Sequence, residues 1–330
     1  MRIGLIRTVL GLAMALWLTN PVAAQPTADE VLAGLALSPD TKQRVLNGEF
    51  VTADAEPVSE RDLAVSLVFL VKTSPDSLTR QILSGRLVTT DSQVQSYALF
   101  KNPGSAADLA GLKISPKEAQ ALAGASPGSA LNLSAAEIKA FNAVPSGNPA
   151  AVLEALRAML LGRYQAYRAR GLDGIAPYAR GGGEADLAAD LRKASQAARG
   201  LEKYLPKFHA LLLSYPQGMT PDVQESFSWT KSIIRDVPTY VLQQRMAVAD
   251  GDARAVMQRQ FYVSAGYNGE QAVAGFLPIQ GGSTLVVYTS HAFTEQVSGF
   301  GGSMKRSMGS RVMANQLKTM FEAARKKAVQ

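Results

Sequence analysis

Histidine is the side chain best placed to move protons near neutral pH, and this chain has two, His209 and His291. His209 lies in an apolar helical run, FHALLL. His291 alternates with Leu285, Val287 and Phe293 in a strand-like stretch, which turns it toward the buried side and makes it the one candidate for catalysis. A Ser–His triad or a histidine-bound metal would need one of these two. Neither has a companion at ligand spacing, so no metal site and no cofactor is expected. The absence of cysteine excludes thiol catalysis, zinc–thiolate sites, iron–sulfur clusters and haem c attachment. Gly124-Ala125-Ser126-Pro127-Gly128 fits G-x-S-x-G, but a nucleophile elbow needs a strand before the serine and a helix after it. Here a helical run precedes and Pro-Gly follows. Gly181-Gly182-Gly183 offers backbone N–H groups to a phosphate, yet it lacks the Lys-Ser/Thr of a P-loop and the preceding strand of a dinucleotide fold. Four charged residues, Glu225, Arg245, Arg259 and Glu270, fall on or beside strands. If Arg259 shares a face with Met257 and Phe261, it is a charge in an apolar row. It then needs a partner, either Glu225 or an acid group on a ligand. These residues favour binding over catalysis.

The elements that would position them fall into two zones. Residues 25–218 are rich in Ala and Leu at helical spacing, with Pro and Gly as punctuation. Within that zone, residues 63–72 (LAVSLVFLVK) predict a buried strand. Ser74-Pro75 then opens a helix over 75–83, and 94–100 predict another strand. Ser115 with Glu118, and Ser134 with Glu137, have capping-box spacing and predict helices over 116–124 and 135–142. Asn148-Pro149 opens the longest helix of the zone, to about residue 170. Further helices are expected over 184–199 and 201–214.

Residues 219–330 alternate Val, Tyr, Phe and Met with polar residues, and predict strands over 226–234, 239–249, 254–264, 271–277 and 284–293. Asp250-Gly251-Asp252, Asn268-Gly269 and Gly281-Gly282 supply hairpin turns. The result is an antiparallel meander. A single helix over 303–327 closes the chain and puts Met304, Met308, Met313, Met320, Leu317 and Phe321 on an apolar face, with seven basic residues and one acid, Glu322. An antiparallel sheet needs cover on at least one face, and this helix provides it.

The N-terminus sets the compartment. Arg2 and Arg7 precede a ten-residue apolar run, residues 9–18 (VLGLAMALWL), and Asn20-Pro21 breaks it. Val22-Ala23-Ala24 offers the small residues a signal peptidase reads. The apolar run is half the roughly 20 residues that span a bilayer. A signal peptide over 1–24, cut before Gln25, and a periplasmic or secreted mature protein are expected. A cysteine-free chain suits such a compartment, where it must rely on its core. The formal charge of +7 is concentrated in the last helix and suits peripheral contact with an anionic membrane. Export argues against a nucleic-acid partner.

A meander whose last strand passes through a Gly-rich loop into a long C-terminal helix resembles the helix-grip architecture of the START-like superfamily. That family includes lipid-transfer START domains, polyketide cyclases and coenzyme Q-binding proteins. Residues 63–72 with the Ser74-Pro75 helix look like the family's entry strand and short helices, and residues 298–327 look like its C-terminal helix. The resemblance covers about 60–100 and 220–328 and rests on topology alone. Residues 104–218 would be a large helical insertion, which leaves the cavity shape open. The fold class expected is therefore α+β, a helix-grip-like barrel covered by the C-terminal helix and carrying that insertion.

The resemblance implies a hydrophobic small molecule or lipid in a cavity between curved sheet and C-terminal helix. Tyr240, Arg259, Phe261, Phe276, Val287 and His291, with Met304, Met308 and Met313, would line it. Fold alone does not establish function. The competing readings are an envelope interaction protein without a small-molecule ligand, and a cyclase- or hydrolase-like enzyme using His291 or an acid.

Overall fold

A computed structural model describes residues 28–34, 37–53, 55–85, 88, 91–145, 147–279, 282–299 and 301–328. The expected signal peptide and Gly281 of the third hairpin turn lie outside them. In chain order the elements are α1 (Ala28–Gly34), α2 (Pro39–Leu46), β1 (Val51–Ala53), β2 (Asp62–Val71), α3 (Pro75–Leu83) and β3 (Val94–Leu99). The helical stretch follows as α4 (Pro116–Ala123), α5 (Ala135–Asn142), α6 (Pro149–Arg170), β4 (Tyr178–Arg180), β5 (Gly183–Ala185), α7 (Leu187–Gln196), α8 (Arg199–Tyr204) and α9 (Pro206–Ser214). The meander is β6 (Gln224–Ile234), β7 (Val237–Asp250), β8 (Ala253–Val263), β9 (Gly269–Ile279) and β10 (Ser283–Phe293), and α10 (Gly302–Ala328) ends the chain.

The fold is α+β. Eight antiparallel strands form one sheet in the order β1-β2-β10-β9-β8-β7-β6-β3, with edges at β1 and β3. The sheet does not close into the barrel expected from the sequence. The meander strands pair in sequence, and the early strand β2 returns to pair with the last, β10, from Thr284–Val71 to Phe293–Asp62.

Local chemistry explains most boundaries. Ser74 Oγ accepts from Ser77 N at 3.3 Å at the start of α3. Both capping boxes form: Ser115 with Glu118, and Ser134 with Glu137, exchange backbone and side-chain bonds of 2.6–3.3 Å. Three expectations need correction. The helix expected over 201–214 is two, α8 and α9, because Pro206 disfavours helical backbone at the residue before it. The helix expected from 184 starts at Leu187, where Asp186 caps Ala189 N at 3.0 Å, since Gly183–Ala185 pairs with Tyr178–Arg180. Asn268-Gly269 is not a two-residue turn. Asn268 is buried, its N–H donates to Phe293 O at 2.7 Å and its amide to Glu295 Oε1 at 2.8 Å. Gly269 already belongs to β9, and there a Cβ would lie 2.6 Å from Leu187 Cδ1 and 2.8 Å from Gln260 O.

Both faces of the sheet are covered. Helices α4–α9 lie on one face, where Tyr164, Tyr167, Phe227, Trp229, Leu242, Met246, Met257 and Phe261 share a single core. Helices α1 and α2 cover that face's far end, with Val68, Leu277 and Leu285 beneath them. Helices α3 and α10 cover the other face, packed on Leu67, Phe69, Ala247, Val256, Phe276 and Val286. Gly309 lets α10 approach β2, since a Cβ there would meet Leu63 Cδ2 at 2.7 Å.

Arg259 clamps the helical layer to the sheet. It is fully buried on β8; its Nε donates to Gln271 Oε1 at 2.8 Å, Nη1 to Tyr167 Oη at 2.9 Å, and Nη2 to Ser195 Oγ at 3.0 Å and Leu212 O at 2.9 Å. Tyr167 passes the chain on to Gln244, which donates to Glu225 Oε1 at 2.6 Å. Arg259→Leu leaves these groups unsatisfied and should cost about 3 kcal/mol or more in urea unfolding, with faster amide exchange in α7 and α9. A cost below about 1 kcal/mol, the net worth of one ordinary hydrogen bond, would mean that the clamp is not what seats that layer.

Candidate functional site

The candidate site is a cavity of ≈ 260 Å³ between the sheet and the α3/α10 layer. One water needs only about 10–15 Å³ of such space. Strand register dictates its lining. In a β-strand alternate residues share a face, and pairing aligns them into rows across strands about 4.8 Å apart. Two polar rows cross the middle of this face. Ser228, Gln243, Gln260 and Glu270 form the first; Ser226, Arg245, Gln258, Ala272 and Ser290 form the second. Two apolar rows follow, Ala247–Val256–Ala274–Tyr288–Leu67 and Phe276–Val286–Phe69. Ile82 of α3 and Leu317 and Phe321 of α10 close over them. Phe321 packs against Phe69 at 4.9 Å and edge-on to Tyr288 at 5.3 Å.

The polar rows are wired so that their amides have fixed orientations. Arg245 is 1% exposed and donates to Ser228 Oγ and Gln243 Oε1, each at 2.9 Å. That bond takes the Gln243 oxygen, so Nε2 is the atom left over; it is buried and has no partner among the described residues. Tyr267 donates to Gln260 Oε1, and Gln260 Nε2 donates to Glu270 Oε2 at 3.0 Å. Ser290 donates to Glu270 Oε1 at 2.6 Å. Glu270 keeps some accessible surface because it borders the cavity, but it sits deep in protein, and burial pushes its carboxyl above the ordinary range. Burial likewise lowers the basicity of Arg245, against the opposing influence of Tyr97.

The residues expected to line a cavity divide between the two faces. Phe276 borders the cavity, and Met313 packs on the core beside it. Tyr240, Arg259 and Phe261 lie on the opposite face, under the helical layer. Tyr240 Oη donates to Glu118 Oε1 at 2.7 Å, with Lys231 Nζ also 2.7 Å from that carboxylate. Phe261 stacks on Tyr167 at 4.1 Å. Val287 packs under α1 and α2. His291 is on that same opposite face, its Nδ1 2.8 Å from Asp62 Oδ2, which also accepts from Val58 N at 2.8 Å. Met304 and Met308 are exposed, at 71% and 61%; the side chain of Met320 lies outside the described part. The apolar face expected for α10 is thus split, with Met313, Ala314, Leu317 and Phe321 turned inward and Met304, Met308 and Val312 outward.

None of the other candidate motifs lines the cavity. His209 Nε2 lies 2.9 Å from Ser195 O. Ser126 is exposed in a turn after α4. Gly181 and Gly182 make the turn of the β4–β5 hairpin. The expected Arg259–Glu225 pairing is indirect, through Tyr167 and Gln244.

Comparison with protein-family models, with curated proteins and with solved structures gave no match.

The position of Glu270 fixes a pH response. Its folded carboxyl titrates above the ordinary 4.5, so its contribution to stability is full below that value and is lost as pH rises through the folded one. Glu270→Gln removes the loss. The stability of the variant relative to the parent should therefore climb from pH 4.5 upward in urea unfolding series. A difference that stays constant with pH would contradict the assignment.

Proposed function

We propose that the protein binds and carries a hydrophobic small molecule or lipid outside the cytoplasm, in the cavity between the sheet and α10. One observation carries this reading: the cavity of ≈ 260 Å³ combines an apolar half, under Leu317 and Phe321, with a polar half whose donor Gln243 Nε2 is unpaired among the described residues. Ligand sites have this make-up, mostly apolar walls with a few placed polar groups. The START-like resemblance belongs to the same proposal. In its favour are the return of β2 to the last strand, the helix α3 after β2, and α10 packed on the β2 side of the sheet.

Ala274 sits at the centre of the apolar rows, between Val256 and Tyr288. Ala274→Phe should fill the cavity, abolish uptake of a neutral fluorescent apolar probe and leave the circular dichroism spectrum unchanged. Unchanged probe affinity in a folded variant would place binding elsewhere.

A second reading, peripheral contact with an anionic membrane, is favoured by the outward row of α10. Met304, Met308 and Val312 are exposed at 71%, 61% and 54%, and Lys305 and Arg311 beside them are also exposed. A helix with exposed apolar residues among basic ones suits the interface of an anionic bilayer. Met304→Glu with Met308→Glu should weaken sedimentation with phosphatidylglycerol vesicles at low salt by about thirtyfold, in line with about 1 kcal/mol for each of the two charges near such a surface. Equal sedimentation of parent and variant would exclude this face as the contact.

A further inference from the structure

The ionisable groups that line the cavity are of one sign. They are the carboxylates of Glu270 and Asp91, and among the described lining residues there is no lysine, arginine or histidine. Asp91 stands at the exposed β3 side, where it accepts from Gln93 N at 2.8 Å. Glu270 lies deeper, at the start of β9. Its oxygens accept from Gln260 Nε2 at 3.0 Å and Ser290 Oγ at 2.6 Å, both neutral donors, and it has no ion-pair partner among the described residues. A carboxylate has about four acceptor sites, so each oxygen can take a further bond. Arg245, two strands away, is taken up by Ser228 and Gln243 and does not line the cavity.

The register of β9 shows where a head group and a hydrocarbon would lie. Glu270, Ala272, Ala274 and Phe276 follow one another on the cavity face. The two alanines leave space between a carboxylate and a phenyl ring that larger side chains would fill. Ala272 pairs with Gln258 on β8 and with Ser290 on β10. Gln258 lines the cavity, and its amide makes no hydrogen bond among the described residues. It stands diagonally across from Glu270, about 7–8 Å away and within reach of long side chains. A donor group above Ala272 would thus meet an acceptor on two sides. From Glu270 to Ala274 the strand rises about 13 Å, the length of a medium alkyl chain. Beyond that point the walls are Phe276, Leu317 and Phe321.

We infer that the ligand is an apolar amine. Its ammonium sits over Ala272 and donates to the Glu270 carboxylate and Gln258 Oε1. Its hydrocarbon runs over Ala274 toward Phe276, beneath Leu317 and Phe321. The inference rests on the binder reading above and narrows it to one head-group chemistry. Burial raises the Glu270 carboxyl, opposed only by the Ser290 bond, and an ammonium is the group that would offset that buried charge.

Isothermal titration of the protein with decylamine, decanol and decanoate tests it. The net charge of +7 repels amines as a whole, so a preference for one must come from the cavity. Decylamine should bind about tenfold or more tighter than decanol, as a hydrogen bond between charged groups supplies, and decanoate should bind weakest. Glu270→Gln should bring decylamine down to the decanol affinity, with decanol binding itself unchanged as the sign of an intact cavity. Gln258→Leu is the second variant, since it leaves no protein partner unmet; it should cut the lead of decylamine by about threefold, the worth of an ordinary hydrogen bond. Decanol or decanoate binding the parent as tightly as decylamine would overturn the inference and leave the binder reading standing. So would a lead of decylamine that persists in Glu270→Gln or, should that variant lose decanol binding, in Gln258→Leu. Failure of all three probes to bind the parent would overturn the binder reading itself.

Discussion

A sheet covered on both faces must find partners for every polar group in its middle strands, and the four hydrogen bonds of Arg259 are where this chain meets that demand. Its acceptors come from β9, α6, α7 and α9, elements far apart in sequence. The helical stretch between β3 and β6 is thereby tied to the sheet at one fully buried point. Aromatic packing surrounds the clamp: Tyr167 stacks on Phe261 at 4.1 Å and lies edge-on to Phe227 at 6.2 Å. A buried guanidinium is tolerable because its charge is spread over well-placed acceptors, and it gives the interface a unique geometry that apolar packing alone would not.

Seating the helical layer so firmly leaves the opposite face to a lighter cover. There α3 and α10 lie over the apolar rows, and the polar rows beside them border open space. The two buried arginines, on adjacent strands and opposite faces, summarise the division. Arg259 binds protein in the dense layer. Arg245 binds Gln243, a residue that lines the cavity.

Much of the fold was legible in the sequence. Ser74-Pro75, the two capping boxes and the period-two rows gave α3, α4, α5 and β6–β10 within a few residues, because each rests on local chemistry. The site was less legible, for a specific reason. Alternation separates two faces of a strand, but when both are buried it does not say which one borders a cavity. Tyr240, Arg259, Phe261 and His291 share the more apolar face, the one that alternation points toward a cavity. The structure puts that face under the helices, and the cavity is lined instead by Gln243, Gln258 and Gln260. The length of the helical stretch, enough to cover a whole face, was the signal that could have reversed the choice. The α10 methionines misled similarly. A stripe from Met304 to Phe321 is wider than the contact the helix makes, so its first half faces solvent.

The central claim is that the cavity holds an apolar ligand. Native mass spectrometry of the protein purified without detergent tests it most directly. A stoichiometric adduct that is released by organic solvent, and absent from Ala274→Phe, is the expected result. A bare polypeptide mass that does not change after incubation with apolar amines and lipids would contradict the claim.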